Sequence, residues 1–452
     1  MVSINPATGA EVARFPMHTA GDIEKILAAA RAAQKAWAQR PIAERARPMQ
    51  KAAALLKERA DAYAKIMAIE MGKPLRDGVA EAQKCALACE HYAAHAAEYL
   101  APREAPTDAG HSYVRFDPLG VVLAVMPWNF PFWQVFRFIA PNLMAGNGGL
   151  LKHASNVPQC ALAIESVMRD AGFPRDLFRS LLIGAKEVAA VIEDPRVAAV
   201  TLTGSEPAGR SVGETAGKML KPVVLELGGS DPFIVLADAD LKAAAETAAK
   251  ARNINAGQSC VAAKRFIVVS TVYDPFLEAF TAEMGKVKVG DPLDPATGIG
   301  PQARRELRDD LHRQVQAAVR QGARITLGGK VPEGPGAFYP PTILTGVKKG
   351  NLAYREEIFG PVAAVIRARD EADAIAIAND SRFGLGAALW TRSAATAERL
   401  VPQIEAGSVF VNGMVKSDPR LPFGGVKHSG VGRELSVEGI REFVNVKTVW
   451  IK

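Results

Sequence analysis

The stretch "NINAGQSCVAAKR", residues 253–265, sets one cysteine, Cys260, after a glycine-containing turn and just before an apolar run. Such a thiol reads in three ways: as a small buried hydrophobe, as a redox or metal thiol, or as a nucleophile. An ordinary thiol has a pKa of about 8.5, so only a few per cent is thiolate at neutral pH. Nucleophilic work therefore needs a base and an oxyanion donor from elsewhere in the chain. "LELGG" sets Glu226 between apolar residues at a strand end, where desolvation raises a carboxyl into general-base range. "PWNFP" holds Asn129 between two prolines, a rigid mount for an amide donor. Gly257 permits close backbone approach, and Ser259 with the peptide N–H groups near Cys260 can stabilise a thiolate or an oxyanion. Taken singly, each has a plainer reading: a core thiol, an ion-paired carboxylate, an amide in a turn.

The other three cysteines read as packing. Cys85 and Cys89 lie one helical turn apart and share a face, with His91 nearby, but no second ligand cluster accompanies them. No metal is expected. Cys160 opens a helix-like apolar stretch. Four thiols without a framework fit a reducing compartment. The N-terminus shows no cationic start followed by an apolar core, and the most apolar window, residues 121–133, is short and broken by Pro127, Asn129 and Pro131. A cytoplasmic protein with no membrane partner is the expectation. The net charge of +7 comes without a Lys/Arg block or a nucleic-acid reader motif. It excludes no small anion and slightly favours one.

The elements that must position these residues follow from periodicity. At 452 residues, two or three domains are expected. Alanine-rich amphipathic helices are predicted at 21–39, 42–72 and about 76–99, with Pro48 straining the second. Short apolar runs at 120–126, 148–154, 179–184, 197–204 and 221–229 then alternate with helical stretches. A second alternating series runs from about 231 to 411, with strands at 264–269, 323–327, 362–367, 385–390 and 407–411. Strands alternating with helices predict parallel sheets covered on both faces, joined near Gly228–Gly229. The strand-like segments 111–120 and 443–452 belong to neither series. They are expected to pair with each other or to extend a sheet in another subunit.

A G-x-G-x-x-G fingerprint is absent. Its nearest substitute is "VTLTGSEPAGR", an apolar strand followed by Gly204, Ser205 and a helix, which can offer N–H groups and a hydroxyl to a phosphate. "PWNFP", "LELGG", "GQSC" and "EEIFGPV" occur in this order, and together they resemble the aldehyde dehydrogenase superfamily. The likeness runs from "NPATG" (5–9) to "PFGGVKHSGVGRE" (422–434) and the final strand. It implies an α/β chain: a Rossmann-like cofactor domain (1–100 and 119–228), a second α/β catalytic domain (229–428), and a small β oligomerisation element (101–118 and 436–452). It also implies that Cys260 is the nucleophile, Glu226 the general base, and Asn129 with the Cys260 N–H the oxyanion hole. Lys152 would meet the adenosine ribose, Gly204 and Ser205 the pyrophosphate, and Glu357 the nicotinamide ribose. Phe359 and Trp128 would line the nicotinamide side. Thiolate attack on an aldehyde gives a thiohemiacetal, oxidation leaves a thioester, and water activated by Glu226 releases a carboxylic acid.

Within the superfamily the chain is similar to bacterial succinate-semialdehyde dehydrogenases. Arg137, eight residues after Asn129, matches an arginine that binds the substrate carboxylate in those enzymes, and Ser417 matches a serine serving the same group. Two positions depart from the pattern. Ile254 stands where many such enzymes have a second arginine, and Ser230 replaces the lysine of "LELGGK". Three residues after Lys152, Ser155 replaces a glutamate that repels a 2′-phosphate, so either NAD or NADP is expected. The implied reaction is oxidation of succinate semialdehyde to succinate by a homodimer or homotetramer. The alternatives are other small aliphatic aldehydes, a cofactor-independent thiol esterase using Cys260 and Glu226, or a non-catalytic relative.

Overall fold

The computed structural model describes all 452 residues. The first strand series forms a six-stranded sheet in the order Gly430–Val431, Val223–Glu226, Val197–Thr203, Val121–Met126, Gly148–His153, Phe178–Ser180. Its neighbours are parallel except Gly430–Val431, which returns late in the chain and runs antiparallel to Val223–Glu226. The apolar runs are nearly continuous because both faces are covered; Val121–Met126 is buried at all but one residue. The second series forms a seven-stranded sheet: Arg324–Leu327, Thr342–Thr345, Val362–Ala368, Arg265–Val269, Pro232–Val235, Gly386–Trp390, Ser408–Val411. Only its edge strand Arg324–Leu327 is antiparallel.

The chain crosses between sheets just where the glycine pair predicts, since Glu226 ends a strand of the first and Pro232 begins a strand of the second. Glu226 thereby sits between Thr203 on one side and Gly430 on the other. A side chain at 430 would press its Cβ to 2.0 Å from the Leu225 carbonyl oxygen, so the pairing requires glycine.

One helix departs from expectation. The predicted 42–72 helix is two, Ile42–Glu58 and Ala60–Met71, and the break falls at Arg59 while the first helix runs through Pro48. The Arg59 amide still bonds the Leu55 carbonyl, and its own carbonyl accepts from Tyr63. The bend therefore loses little, and both halves feed one core that includes Leu56, Tyr63 and Met67. Cys85, Cys89 and Cys160 lie fully buried in that core, and burial pushes all three thiols up. The strand segments outside the two series pair with each other: His111–Pro118 runs antiparallel to Val444–Ile451, with Arg103–Glu104 as a third strand. No helix is long and apolar enough to cross a membrane.

Candidate active site

The corner around Cys260 is built from unusual backbone. Asn255, Ala256 and Gly257 occupy left-handed conformations in succession, with φ of 53°, 55° and 74°. That costs about 1–2 kcal/mol at each of the two non-glycine residues. Gly257 has a second reason to be glycine: a Cβ there would lie 2.1 Å from the carbonyl carbon of Gly360. The turn before Cys260 is thus pressed against the backbone of "EEIFGPV". Arg252, fully buried, pins the two together by donating to the carbonyls of Gly257 (2.8 Å) and Val362 (3.3 Å).

Asn129 follows the strand Val121–Met126 and meets this turn. Its side-chain Nδ2 donates to the Gln258 carbonyl at 3.0 Å, which leaves a second N–H, and its backbone carbonyl accepts from Lys73 (3.0 Å) and Asn255 (2.6 Å). Two groups fix the loop that carries it. His153 is pushed down by burial to about 4, so it is neutral; its Nδ1 accepts from the Ala154 N–H (2.9 Å) and its Nε2 donates to the Pro131 carbonyl (2.9 Å). Glu81 accepts from the backbone N–H groups of Phe132 and Trp133, both at 2.9 Å, at the start of helix Trp133–Met144, and pairs in the interior with Lys73.

Glu226 is buried with neither carboxylate oxygen partnered. Burial holds its pKa well above the usual carboxylate range, Glu434 adds to that, and Arg137 and Arg433 oppose it. Cys260 feels the same field. Burial pushes its thiol up to about 12, against Arg137 and Lys264, which favour the thiolate, and with Glu226 and Glu357, which oppose it. Lys264 donates to the carbonyls of Ser259 (2.9 Å) and Cys260 (2.8 Å) and pairs with Glu357 at 3.2 Å. A lysine therefore does reach this corner, from position 264, while Ser230 is buried with its hydroxyl unpartnered.

Two residues expected at a cofactor, Lys152 and Ser205, share one edge with the expected catalytic residues Asn129 and Glu226. Asn129, Lys152, Ser205 and Glu226 lie at or just beyond the carboxyl ends of four adjacent strands of the first sheet, where open α/β sheets bind ligands. Ser205 caps helix Glu206–Lys218 in extended conformation and makes no side-chain cap bond, so its hydroxyl and the helix's first N–H groups stay available. Lys152 is partly buried and feels Glu187. Glu357 accepts from the Gly229 N–H at 3.1 Å, and Phe359 meets Trp128 edge-on at 5.9 Å. Ser155, just past the strand that carries Lys152, borders a cleft of about 630 Å³ beside the N-terminal hairpin and Arg304. A free helix N-terminus, a free hydroxyl and a lysine are a donor set that fits an anionic dinucleotide.

The two residues expected at a substrate carboxylate part company. Arg137 is buried, ion-paired with Glu434 at 2.5 Å and bonded to the Thr203 hydroxyl at 3.1 Å. It serves the field at Cys260 and Glu226, and it is not among the residues lining the large cleft. Ser417 instead accepts from Lys84 and from the Trp133 indole. That cleft, of about 750 Å³, has Phe130, Ile254 and Asn255 in its wall, next to the Asn129–Gln258 contact; Cys260 itself is outside the lining. Six cationic side chains line it against four carboxylates, so it is electropositive. Sequence reasoning missed Lys73, Glu81, Lys84, Lys264 and Glu434. Only Lys264 and Glu434, each inside a stretch already quoted, carried any signal.

This fold, with a thiol, a buried carboxyl and an amide at the junction of two α/β sheets, matches the aldehyde dehydrogenase family profile over residues 1–449, and the chain belongs to that family. It is 51% identical over 451 residues to a probable NADP-dependent succinate-semialdehyde dehydrogenase of Synechocystis, covering 100% of this chain and 99% of that one. It is 52% identical over 456 residues to succinate-semialdehyde dehydrogenase [NADP(+)] 1 of Mycobacterium tuberculosis, with the same coverage. The crystal structure of succinic semialdehyde dehydrogenase from Streptococcus pyogenes with NADP⁺ superposes with a TM-score of 0.98 at 39% identity, covering 100% of this chain and 99% of that one.

Proposed function

We propose that the protein oxidises succinate semialdehyde to succinate with NADP, through a thioester on Cys260. The observation that carries this reading is the shared field of Cys260, Glu226 and Arg137 beside an electropositive cleft. The Cys260 sulfur bonds the aldehyde carbon and its proton leaves to a base; Arg137 and Lys264 favour the thiolate. The free N–H of Asn129 and the Cys260 N–H stabilise the oxyanion. Lys152, Gly204, Ser205 and Glu357 would hold the dinucleotide, and Trp128 and Phe359 would wall its nicotinamide. When bound, it supplies the acceptor for the two electrons leaving the substrate carbon. Glu226 then takes a proton from water, the water oxygen bonds the thioester carbon, and the carbon–sulfur bond breaks. A carboxyl kept above its usual range by burial is suited to that proton transfer near neutrality.

The neutral Ser155 and the names of the relatives favour NADP over NAD. Segments 1–100 with 119–228 would form the cofactor half and 229–428 the catalytic half. The exposed Val446, Trp450 and Ile451 of the three-stranded sheet suit assembly into a homodimer or homotetramer. A free nucleophilic thiol suits the reducing cytoplasm. Reduced-cofactor absorbance with succinate semialdehyde and butanal, each with NADP and NAD, tests the reading. Succinate semialdehyde with NADP is expected to turn over best. Faster oxidation of butanal contradicts the substrate, and ester hydrolysis without nucleotide or aldehyde oxidation favours the thiol esterase.

A further inference from the structure

Lys84 lies midway along helix Leu75–Tyr99 and lines the large cleft together with Trp133. Its ammonium sits 2.8 Å from the Ser417 hydroxyl oxygen and 4.2 Å from the centre of the Trp133 ring. The neighbouring cation Lys73 is committed to Glu81, but Lys84 has a hydroxyl and a ring as partners and no carboxylate. Ser417 accepts from Lys84 and, at 3.1 Å, from the Trp133 indole N–H. With both lone pairs engaged, its own O–H remains to donate. The cluster thus holds one positive charge, two further ammonium N–H groups and one O–H, with no acceptor left over. That is the complement of a carboxylate. Ile254 in the same cleft wall adds no charge, and Arg137 is ion-paired with Glu434 and outside the lining.

Resting on the succinate-semialdehyde reading, we propose that Lys84, held in place by Ser417 and Trp133, is a specificity-determining residue that binds the distal carboxylate of the substrate.

The charge on Lys84 has a built-in limit. Burial pushes its pKa down to about 8, and Arg137 on the facing helix adds to this. Cys85 and Glu81 on its own helix, and Asp418 on the loop that carries Ser417, oppose the shift. A lowered ammonium pKa means a cation below that pH and a neutral amine above it. The preference for an acidic aldehyde is therefore lost as pH rises past about 8.

The test is the ratio of kcat/KM for succinate semialdehyde to that for butanal, which has the same carbon chain without the carboxylate. It is measured with saturating NADP from about pH 6 to about pH 10 in wild type, Lys84→Met and Lys84→Arg. The ratio cancels the ionisation of Cys260, which both aldehydes share. Wild type is expected to prefer the acid, with the ratio falling above about pH 8. Lys84→Met should lower the ratio roughly 30-fold at neutral pH, the worth of one charge-assisted hydrogen bond. Lys84→Arg should keep the preference and remove the alkaline fall, because a guanidinium does not titrate there. A Lys84→Met enzyme that retains the ratio, or that loses both substrates alike, overturns the proposal. A wild type that prefers butanal overturns the succinate-semialdehyde reading itself, and the proposal with it.

Discussion

Around Cys260, long buried cations are spent on backbone carbonyls and carboxylates: Arg252 on Gly257 and Val362, Lys73 on Asn129 and Glu81, Lys264 on Ser259, Cys260 and Glu357. At the outer cleft, Lys84 meets a hydroxyl and an indole, and charge is left over. The first arrangement fixes where main-chain and amide groups stand, so the proposed oxyanion donors are positioned before any substrate arrives. The second fixes which ligand is attracted. Damage to the corner should therefore lower turnover of every aldehyde alike, whereas damage to the cleft should change which aldehyde is preferred.

Four substitutions press on that contrast. Lys73→Met strands Glu81 in the interior, where both side chains are at most 2% exposed, and should cost about 3–5 kcal/mol in urea unfolding. A loss below about 1 kcal/mol would show that this pair does not hold the Asn129 loop. Asn129→Ala should lower kcat about 10²–10³-fold for succinate semialdehyde and butanal equally; an unequal loss would blur the line between corner and cleft. Glu226→Gln should lower turnover about 10²-fold and also change the pH profile. The raised pKa of Glu226 means the wild-type base is lost to protonation as pH falls through it, so the wild-type acid limb should disappear in the variant. Survival of that limb would assign it to another group. Trp133→Phe removes one donor to Ser417 and should reduce the acid-to-neutral preference only about fivefold, with kcat for butanal read alongside to detect any spill into the corner.

Much of the corner was legible in the sequence because its parts are short local patterns. Gly257 before Cys260, the prolines around Asn129 and the glycine pair after Glu226 each mark a backbone the structure does build. The strand series were legible for a similar reason: continuous apolar runs bounded by glycine read as strands covered on both faces. The late return of Gly430–Val431 to the first sheet was not, since nothing in a two-residue stretch says which strand it joins. Nor was the bend at Arg59, where that residue keeps its own bonds to Leu55 and Tyr63, so propensity leaves no mark. The cleft was the least legible part. Lys84 and Ser417 are 333 residues apart, and Lys84 sits in an amphipathic helix where a lysine reads as a solvated face. Arg137 was legible only in part: an arginine in an apolar helix invites an anion, and Glu434, far along the chain, pairs with it.

The account stands or falls on covalent chemistry at Cys260. Glu226→Gln enzyme, incubated with succinate semialdehyde and NADP, quenched in acid and digested, should yield one succinylated peptide containing Cys260, with the adduct released by hydroxylamine as a thioester is. Reduced cofactor should appear in an amount matching the enzyme. A burst of reduced cofactor with no adduct on that peptide, or an adduct on Cys85, Cys89 or Cys160, would contradict it.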